Sequence, residues 1–205
     1  MSASTVDTTI ALVTLEHLKE YLGISGDSDD ALMSAIINGI SQRVHDHCQR
    51  YLLSKSYTQY YNGGGNRTLL LAMSPVTAVT SIHDDTLREF GAATMVAAAD
   101  RLVERSGLMT CINDKVAWGR GTLNVKVVYT AGWSLATLPA SLSLAVKEFC
   151  AAAYYKAKNR RHDVQSESLG DKTITYLQVA MPATVEGALA PYVHVHTGAD
   201  WAEAI

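Results

Sequence analysis

The feature that most constrains the fold is a pair of amphipathic stretches with helical periodicity, which stand on either side of a long segment with strand periodicity. Apolar residues at spacings of three and four form the first stripe, which consists of Leu32, Ile36, Ile37, Ile40, Val44, Cys48 and Tyr51. The second stripe opens at Pro139 and consists of Leu142, Val146, Phe149, Cys150, Ala153, Tyr154 and Ala157. The two stripes can pack on each other only if the ends of the intervening segment lie close together, which is the usual condition for a domain insertion.

This pattern predicts an α+β fold with three parts. Residues 1–56 and 137–162 are expected to form a small helical bundle, and residues 57–136 an inserted β-domain. Residues 163–205 are expected to form an extended arm and tail, in which residues 182–189 form a short helix.

The helix ends carry recognisable signals. Thr14 is a suitable N-cap for a first short helix and Gly23 a suitable residue just after its end. Asp27 or Ser28 is expected to cap the second helix. Gly39 lowers the stability of that helix by up to about 1 kcal/mol relative to alanine, so we expect it to pack closely against a neighbour.

Inside the insertion, residues 57–61 favour a strand, and residues 62–66 (NGGGN) favour a turn to a returning strand at 68–72. Further strands are expected at 77–83, with Val79 and Ile82 inward, and at 94–97, 108–112 and 122–130. In the last of these, alternation places four residues on one face: Leu123, Val125, Val127 and Tyr129.

Composition excludes several classes of protein. With 205 residues, 48% hydrophobic residues and a net charge of −3, the chain is neither wholly disordered nor a globally basic nucleic-acid binder. Three widely separated cysteines predict buried thiols and neither a disulfide framework nor a zinc site. No signal peptide or membrane span is recognisable, so we expect a soluble chain made in the cytoplasm.

No motif indicates catalysis, a cofactor or a metal. The glycine-rich 62–66 segment lacks the Lys and Ser/Thr of a phosphate-binding loop. His45 and His47 point apart on a helix, and His194 and His196 have no acidic or cysteine partner nearby in sequence. The concentrated charge is a cationic run at Lys156, Lys158, Arg160 and Arg161. It either complements the dipole at a helix C-terminus or contacts an anionic partner, and both interpretations stay open.

The order and spacing of several short motifs resemble the head–tail connector (head-completion adaptor) proteins of tailed bacteriophages. They begin with residues 13–22 (VTLEHLKEYL), 29–32 (DDAL), 36–37 (II) and 74–76 (SPV). They continue with residues 128–134 (VYTAGWS), 138–142 (LPASL), 154–158 (YYKAK), 166–171 (SESLGD) and 189–192 (LAPY). The resemblance extends over most of residues 11–193.

The resemblance implies a non-enzymatic structural protein of the virion neck, made in the host cytoplasm. Such adaptors form a ring, typically of twelve copies, that binds the portal protein and connects the DNA-filled head to a tail or stopper protein, while packaged DNA passes through the channel. We expect residues 163–178 to order against the portal, with the basic helix end as anchor. The portal- or anion-facing candidates are Lys156, Lys158, Arg160, Arg161, Ser166, Glu167, Leu169, Asp171 and Tyr176.

Three alternatives remain at this stage. A tail-completion or tail-terminator subunit would differ in the partner that it binds. A nucleic-acid-binding module would use the cationic run with Tyr154 and Tyr155, and its affinity would fall steeply with salt. An enzyme would require a pocket with converging acid and base groups.

Overall fold

The computed structural model describes residues 5–158, 166–169, 172–175 and 181–194, with the backbone alone for 166–169 and 172–175. The helices are α1 (Leu15–Leu22), α2 (Asp30–Cys48), α3 (Ala140–Lys158) and α4 (Ala183–Leu189). The strands are β1 (Lys55–Gly63), β2 (Thr68–Leu70), β3 (Val76–Asp84), β4 (Arg101–Val103), β5 (Leu108–Cys111), β6 (Gly121–Ala131), β7 (Ser166–Leu169) and β8 (Lys172–Thr175). The expected α+β fold is confirmed.

The described residues fall into two compact units. The first, which we call the helical unit, consists of residues 5–51 and 135–194 as far as they are described. In it α2 packs against α3, α1 contacts both, and α4 packs on α3. The two amphipathic stripes therefore meet, and they bury a core that includes Leu18, Ile37, Val44, Leu142, Val146 and Leu189.

The ends of α1 are as predicted. Thr14 caps the helix, because its hydroxyl oxygen accepts a hydrogen bond from the backbone N–H of His17 at 3.2 Å. Gly23 ends the helix with a φ of +66°, a left-handed conformation that favours glycine. The N-cap residue of α2 is Asp29 rather than Asp27 or Ser28, and its side chain makes no capping bond.

The expected close packing at Gly39 is wrong. Gly39 is exposed in the middle of α2, and no described atom lies within 4 Å of the place where a Cβ would stand. Three polar residues, Ser34, Ser41 and His45, are instead buried on the inner face of the helix.

The second unit, which we call the β unit, consists of the described residues Leu52–Ser134. One antiparallel sheet has the order β1-β6-β3, and a second has the order β2-β5-β4. The two sheets share a core whose largest members are Trp118, Tyr129, Ile82 and Met109.

Two strand predictions are wrong. β1 and β2 do not form a hairpin, because β1 pairs with β6 and β2 pairs with β5. The glycine-rich segment between them leads from one sheet to the other, and at Gly63 a Cβ would lie 1.7 Å from the carbonyl oxygen of Gly119. Residues 94–97 are not a strand: a 3-10 turn spans Ala92–Thr94, and Met95 forms an isolated bridge with His83.

Candidate functional site

The end of α3, where the sequence places its cationic run, is tied to the start of α2. The carboxylate of Asp29 accepts hydrogen bonds from the Tyr154 hydroxyl at 2.7 Å and from the Lys158 ammonium at 2.7 and 2.8 Å. We call these three side chains the Asp29 cluster. It explains why Asp29 makes no capping bond to its own helix: its oxygens are engaged by residues more than a hundred positions away in sequence.

The electrostatics of the Asp29 cluster follow from these contacts. The Lys158 ammonium, together with the Tyr154 hydroxyl, lowers the pKa of the Asp29 carboxyl. The bond to Asp29 raises the pKa of Lys158 and also that of Tyr154. The cationic charge of Lys158 is therefore compensated inside the chain, and the end of α3 is less basic than its sequence indicates.

The other predicted site residues are distributed as follows. Lys156 lies half-buried on the last turn of α3. Ser166, Glu167 and Leu169 lie on β7, which pairs with β8 in a hairpin that the sequence did not predict. Arg160, Arg161, Asp171 and Tyr176 lie outside the described residues.

Beyond the hairpin the chain returns to the helical unit. The predicted short helix is present as α4, and the residues after it contact α2 and α3. The backbone N–H of His194 donates to the carbonyl of Cys48 at 2.8 Å, and the hydroxyls of Tyr192 and Ser141 lie 3.4 Å apart. The segment that carries β7 and β8 is thus attached at both ends to the same unit.

Two buried polar side chains that the sequence reasoning missed hold the N-terminal segment. The Ser41 hydroxyl oxygen accepts the backbone N–H of Leu12 at 3.0 Å, and Nε2 of His45 lies 2.9 Å from the carbonyl oxygen of Ile10. Burial lowers the pKa of His45 and so favours the neutral imidazole. Their i, i+4 spacing on the apolar face of α2 is the signal that could have revealed them.

The outer face of the first sheet carries a second group that was missed. Tyr60, Lys126 and His83 are opposite one another on β1, β6 and β3. The Lys126 ammonium lies 5.9 Å from the Tyr60 ring centroid and 5.6 Å from that of Phe90, which are cation–π distances.

The loop that carries Phe90 is held by Asp85. The buried Asp85 carboxylate accepts the backbone N–H groups of Leu87, Glu89 and Phe90 at 2.8–2.9 Å. These bonds, foremost that from Phe90, lower the pKa of the Asp85 carboxyl. The cation–π group is therefore fixed in place by the backbone of its own unit.

A cavity of about 540 Å³ in the helical unit has a mostly apolar surface, to which Val6, Ala11, Val13 and Leu135 contribute. Its Asp30 carboxylate is paired with Lys19 at 2.5 Å. Within the described residues no three His, Cys, Asp or Glu side chains converge as metal ligands, and no helix is long and apolar enough to cross a membrane.

Comparisons with known proteins agree on one class of protein. A family model described as "Head completion protein" matches residues 11–195. The fold is similar to a chain in the "Neck of empty GTA particle computed with C6 symmetry", with 18% identity, a TM-score of 0.56 and 96% of each chain covered. It is also similar to a chain in the "Virion of native gene transfer agent (GTA) particle" (21%, 0.55, 96% of each) and one in the "Neck of native GTA particle computed with C12 symmetry" (20%, 0.55, 96% of each). No curated protein matches this chain significantly.

Proposed function

Because the chain belongs to the head completion protein family, we propose that it is a structural subunit of a virion neck. In this proposal copies of the chain form a ring beneath the portal and connect the DNA-filled head to the tail or stopper. The observation that carries the proposal is the family match, which extends over both units and the segment with β7 and β8.

The geometry is consistent with a structural role rather than a catalytic one. A closed ring needs two different faces on each subunit, since head-to-tail contacts are heterologous. The helical unit and the β unit each expose large apolar side chains: Leu135, Leu144 and Tyr155 in the first, Leu70, Leu87, Leu102 and Val116 in the second. The similar folds come from particle necks computed with sixfold and twelvefold symmetry, which supports a twelvefold ring.

We assign the portal contact to the segment that begins at the end of α3. Lys156 and the β7–β8 hairpin are the described parts of this surface, and Arg160, Arg161, Asp171 and Tyr176 complete it in our proposal. The Asp29 cluster supports the assignment because it fixes the base of the segment to the helical unit. A fixed base lowers the entropy that the segment loses when it orders on a partner.

The decisive experiment is electron microscopy of particles assembled with the chain. We expect a collar of its copies at the portal vertex, between portal and tail. Density for the chain that contacts the tail tube but not the portal would favour a tail-terminator subunit, and absence of the chain from particles would refute the proposal.

A binding assay tests the assigned contact. Replacement of residues 166–175 by a glycine–serine linker should abolish capture by immobilised portal rings and leave the helical circular dichroism unchanged. Lys156→Met should weaken capture, whereas Lys147→Met, on the same helix but away from its end, is the matched control. Undiminished capture of the linker variant would contradict the assignment.

A further inference from the structure

The strand β4 has an unoccupied hydrogen-bonding edge. The backbone N–H of Glu104 donates to the carbonyl oxygen of Leu108, and that of Ile112 donates to the carbonyl oxygen of Asp100, both at 2.9 Å. In an antiparallel pair such bonds recur at every second residue, so Leu102 also exchanges backbone hydrogen bonds with β5. Arg101 and Val103 therefore direct their N–H and C=O groups away from β5, and no partner for these groups occurs in the described part of the chain.

The side chain of Arg101 lies at the same edge and is also unpaired. Its Nη1 atom is buried and has no hydrogen-bond acceptor among the described residues, and no described carboxylate forms an ion pair with it. A buried guanidinium N–H without an acceptor is destabilising. Desolvation lowers the pKa of Arg101, in agreement with this burial. A carboxylate supplied from outside the chain would satisfy it with a short, charge-assisted bond.

Apolar surface continues from this edge across the outer face of the same sheet. Leu102 on β4 is 52% exposed and Leu70 on β2 is 50% exposed. Leu108, the partner of Leu70, lies on β5 between these two strands. A segment added to β4 would extend the sheet and cover part of this surface, which is how extended peptides bind to exposed sheet edges.

The charge distribution of the chain favours another copy as the source of that segment. Residues 52–134 contain eight Lys and Arg against six Asp and Glu, a net charge of +2. The remaining residues contain nine against 14, a net charge of −5. The β unit of one copy is therefore complementary in charge to the rest of a second copy, and a ring places such surfaces against each other.

We propose that the edge of β4, with Arg101, is a subunit–subunit contact that receives an extended, carboxylate-bearing segment of a neighbouring copy. This inference rests on the ring of the proposed function. The inference adds that the β4 side of the β unit faces the neighbouring copy and that Arg101 binds a carboxylate of that copy.

Photo-crosslinking in assembled particles tests the contact. Benzoylphenylalanine at position 102 should yield an adduct of twice the chain mass, whose second peptide comes from an Asp- or Glu-containing segment. The same probe at Val116, which is 79% exposed in the same unit, should give at least about tenfold less of this adduct. An adduct with a different protein, or none at position 102, would overturn the inference while particles that contain the chain still support the proposed function.

Arg101→Gln provides a second readout. Because Arg101 has no partner among the described residues, the isolated variant should unfold at the same temperature as the parent or a higher one. Its incorporation into particles in competition with the parent chain should fall at least about tenfold, the minimum for loss of a charged hydrogen bond. Arg88→Gln, at an exposed arginine of the same unit, is the control. Equal incorporation of the Arg101 variant and the parent would mean that the residue only protects the edge, and would refute the inference.

Discussion

Replacing Gly132 by alanine should destabilise the β unit, whereas the same replacement at Gly39 should stabilise the helical unit. Gly132 follows β6 with a φ of +112°, and a Cβ there would lie 2.5 Å from the carbonyl oxygen of Leu53 and 2.9 Å from that of Leu52. Both are backbone atoms held by the bridge between Leu53 and Trp133, so they cannot move aside as a flexible side chain could.

The magnitude follows from two separate costs. A non-glycine residue in a sparsely populated backbone region costs about 1–3 kcal/mol, and an extra carbon in a tightly packed place costs about 1–3 kcal/mol more. Gly132→Ala should therefore lower the free energy of unfolding of the β unit by about 2–6 kcal/mol. Gly39→Ala should raise that of the helical unit by up to about 1 kcal/mol, because nothing meets the added carbon and alanine is the better helix former.

Urea unfolding with two probes separates these effects. In a Trp201→Phe background, Trp118 and Trp133 report on the β unit by fluorescence. Circular dichroism at helical wavelengths reports mainly on α2 and α3. With a slope of about 2 kcal/mol per molar urea, the fluorescence midpoint of the Gly132 variant should fall by about 1–3 M. A midpoint within about 0.3 M of the parent would refute the reasoning from backbone geometry.

Three further predictions address the contacts of single groups. Asp29→Asn should speed amide hydrogen exchange at the start of α2 at neutral pH. In the parent chain the same protection from exchange should be lost when acid protonates the Asp29 carboxyl. Because folding lowers the pKa of this carboxyl, the loss should occur below its ordinary pKa. Equal exchange in the variant and the parent would contradict the role of the Asp29 cluster. Asp85→Asn should speed tryptic cleavage after Arg88, since an amide offers one acceptor oxygen instead of two, whereas Asp114→Asn should not. Equal cleavage rates of the Asp85 variant and the parent would contradict the role of the Asp85 carboxylate in holding this loop. Burial raises the pKa of the Cys48 thiol to about 11 and that of the Cys150 thiol to about 12, and Cys111 is also buried. Modification of these thiols by a soluble disulfide reagent should therefore be slow until urea is added. Rapid labelling of the folded protein would contradict the burial of these thiols.

The helices could be predicted because their signals are local. The stripe on α3 repeats within a few residues, and the cap at Thr14 acts on a residue three positions away. Such signals are complete within a short window of sequence. The buried polar positions on α2 were missed because their signal is not local. Ser41 and His45 are hydrophilic residues, and their hydrogen-bond partners lie in the segment before α1.

Strand pairing could not be predicted in the same way. A run of alternating residues predicts a strand but not its partner, and the turn-like glycines after β1 favoured the neighbour in sequence. In the structure the partner of β1 is β6, so that Tyr61 lies opposite Val125. Pairing is decided by the burial of a whole sheet face, which no local window contains.

Contacts between distant parts of the chain also change how a charge is interpreted. In the sequence, Lys158 belongs to a conspicuous cationic run and Arg101 is an isolated residue in an irregular region. In the structure, Lys158 is compensated by Asp29, whereas Arg101 is partly buried without a described partner. A charge that is compensated within the chain contributes to the fold, and one that is desolvated but uncompensated requires a counter-charge from elsewhere.

For a subunit that acts by assembly, that requirement is informative in itself. In an enzyme whose active site lies within one chain, the reacting groups converge in the isolated subunit. In a heterologous ring each subunit carries only one half of every contact, and the other half lies on a neighbour. Unsatisfied groups in the isolated subunit, such as the edge of β4, are therefore where a function of this kind becomes visible. In our proposal Arg101→Gln separates stability from assembly, because it removes a group that a neighbouring copy satisfies.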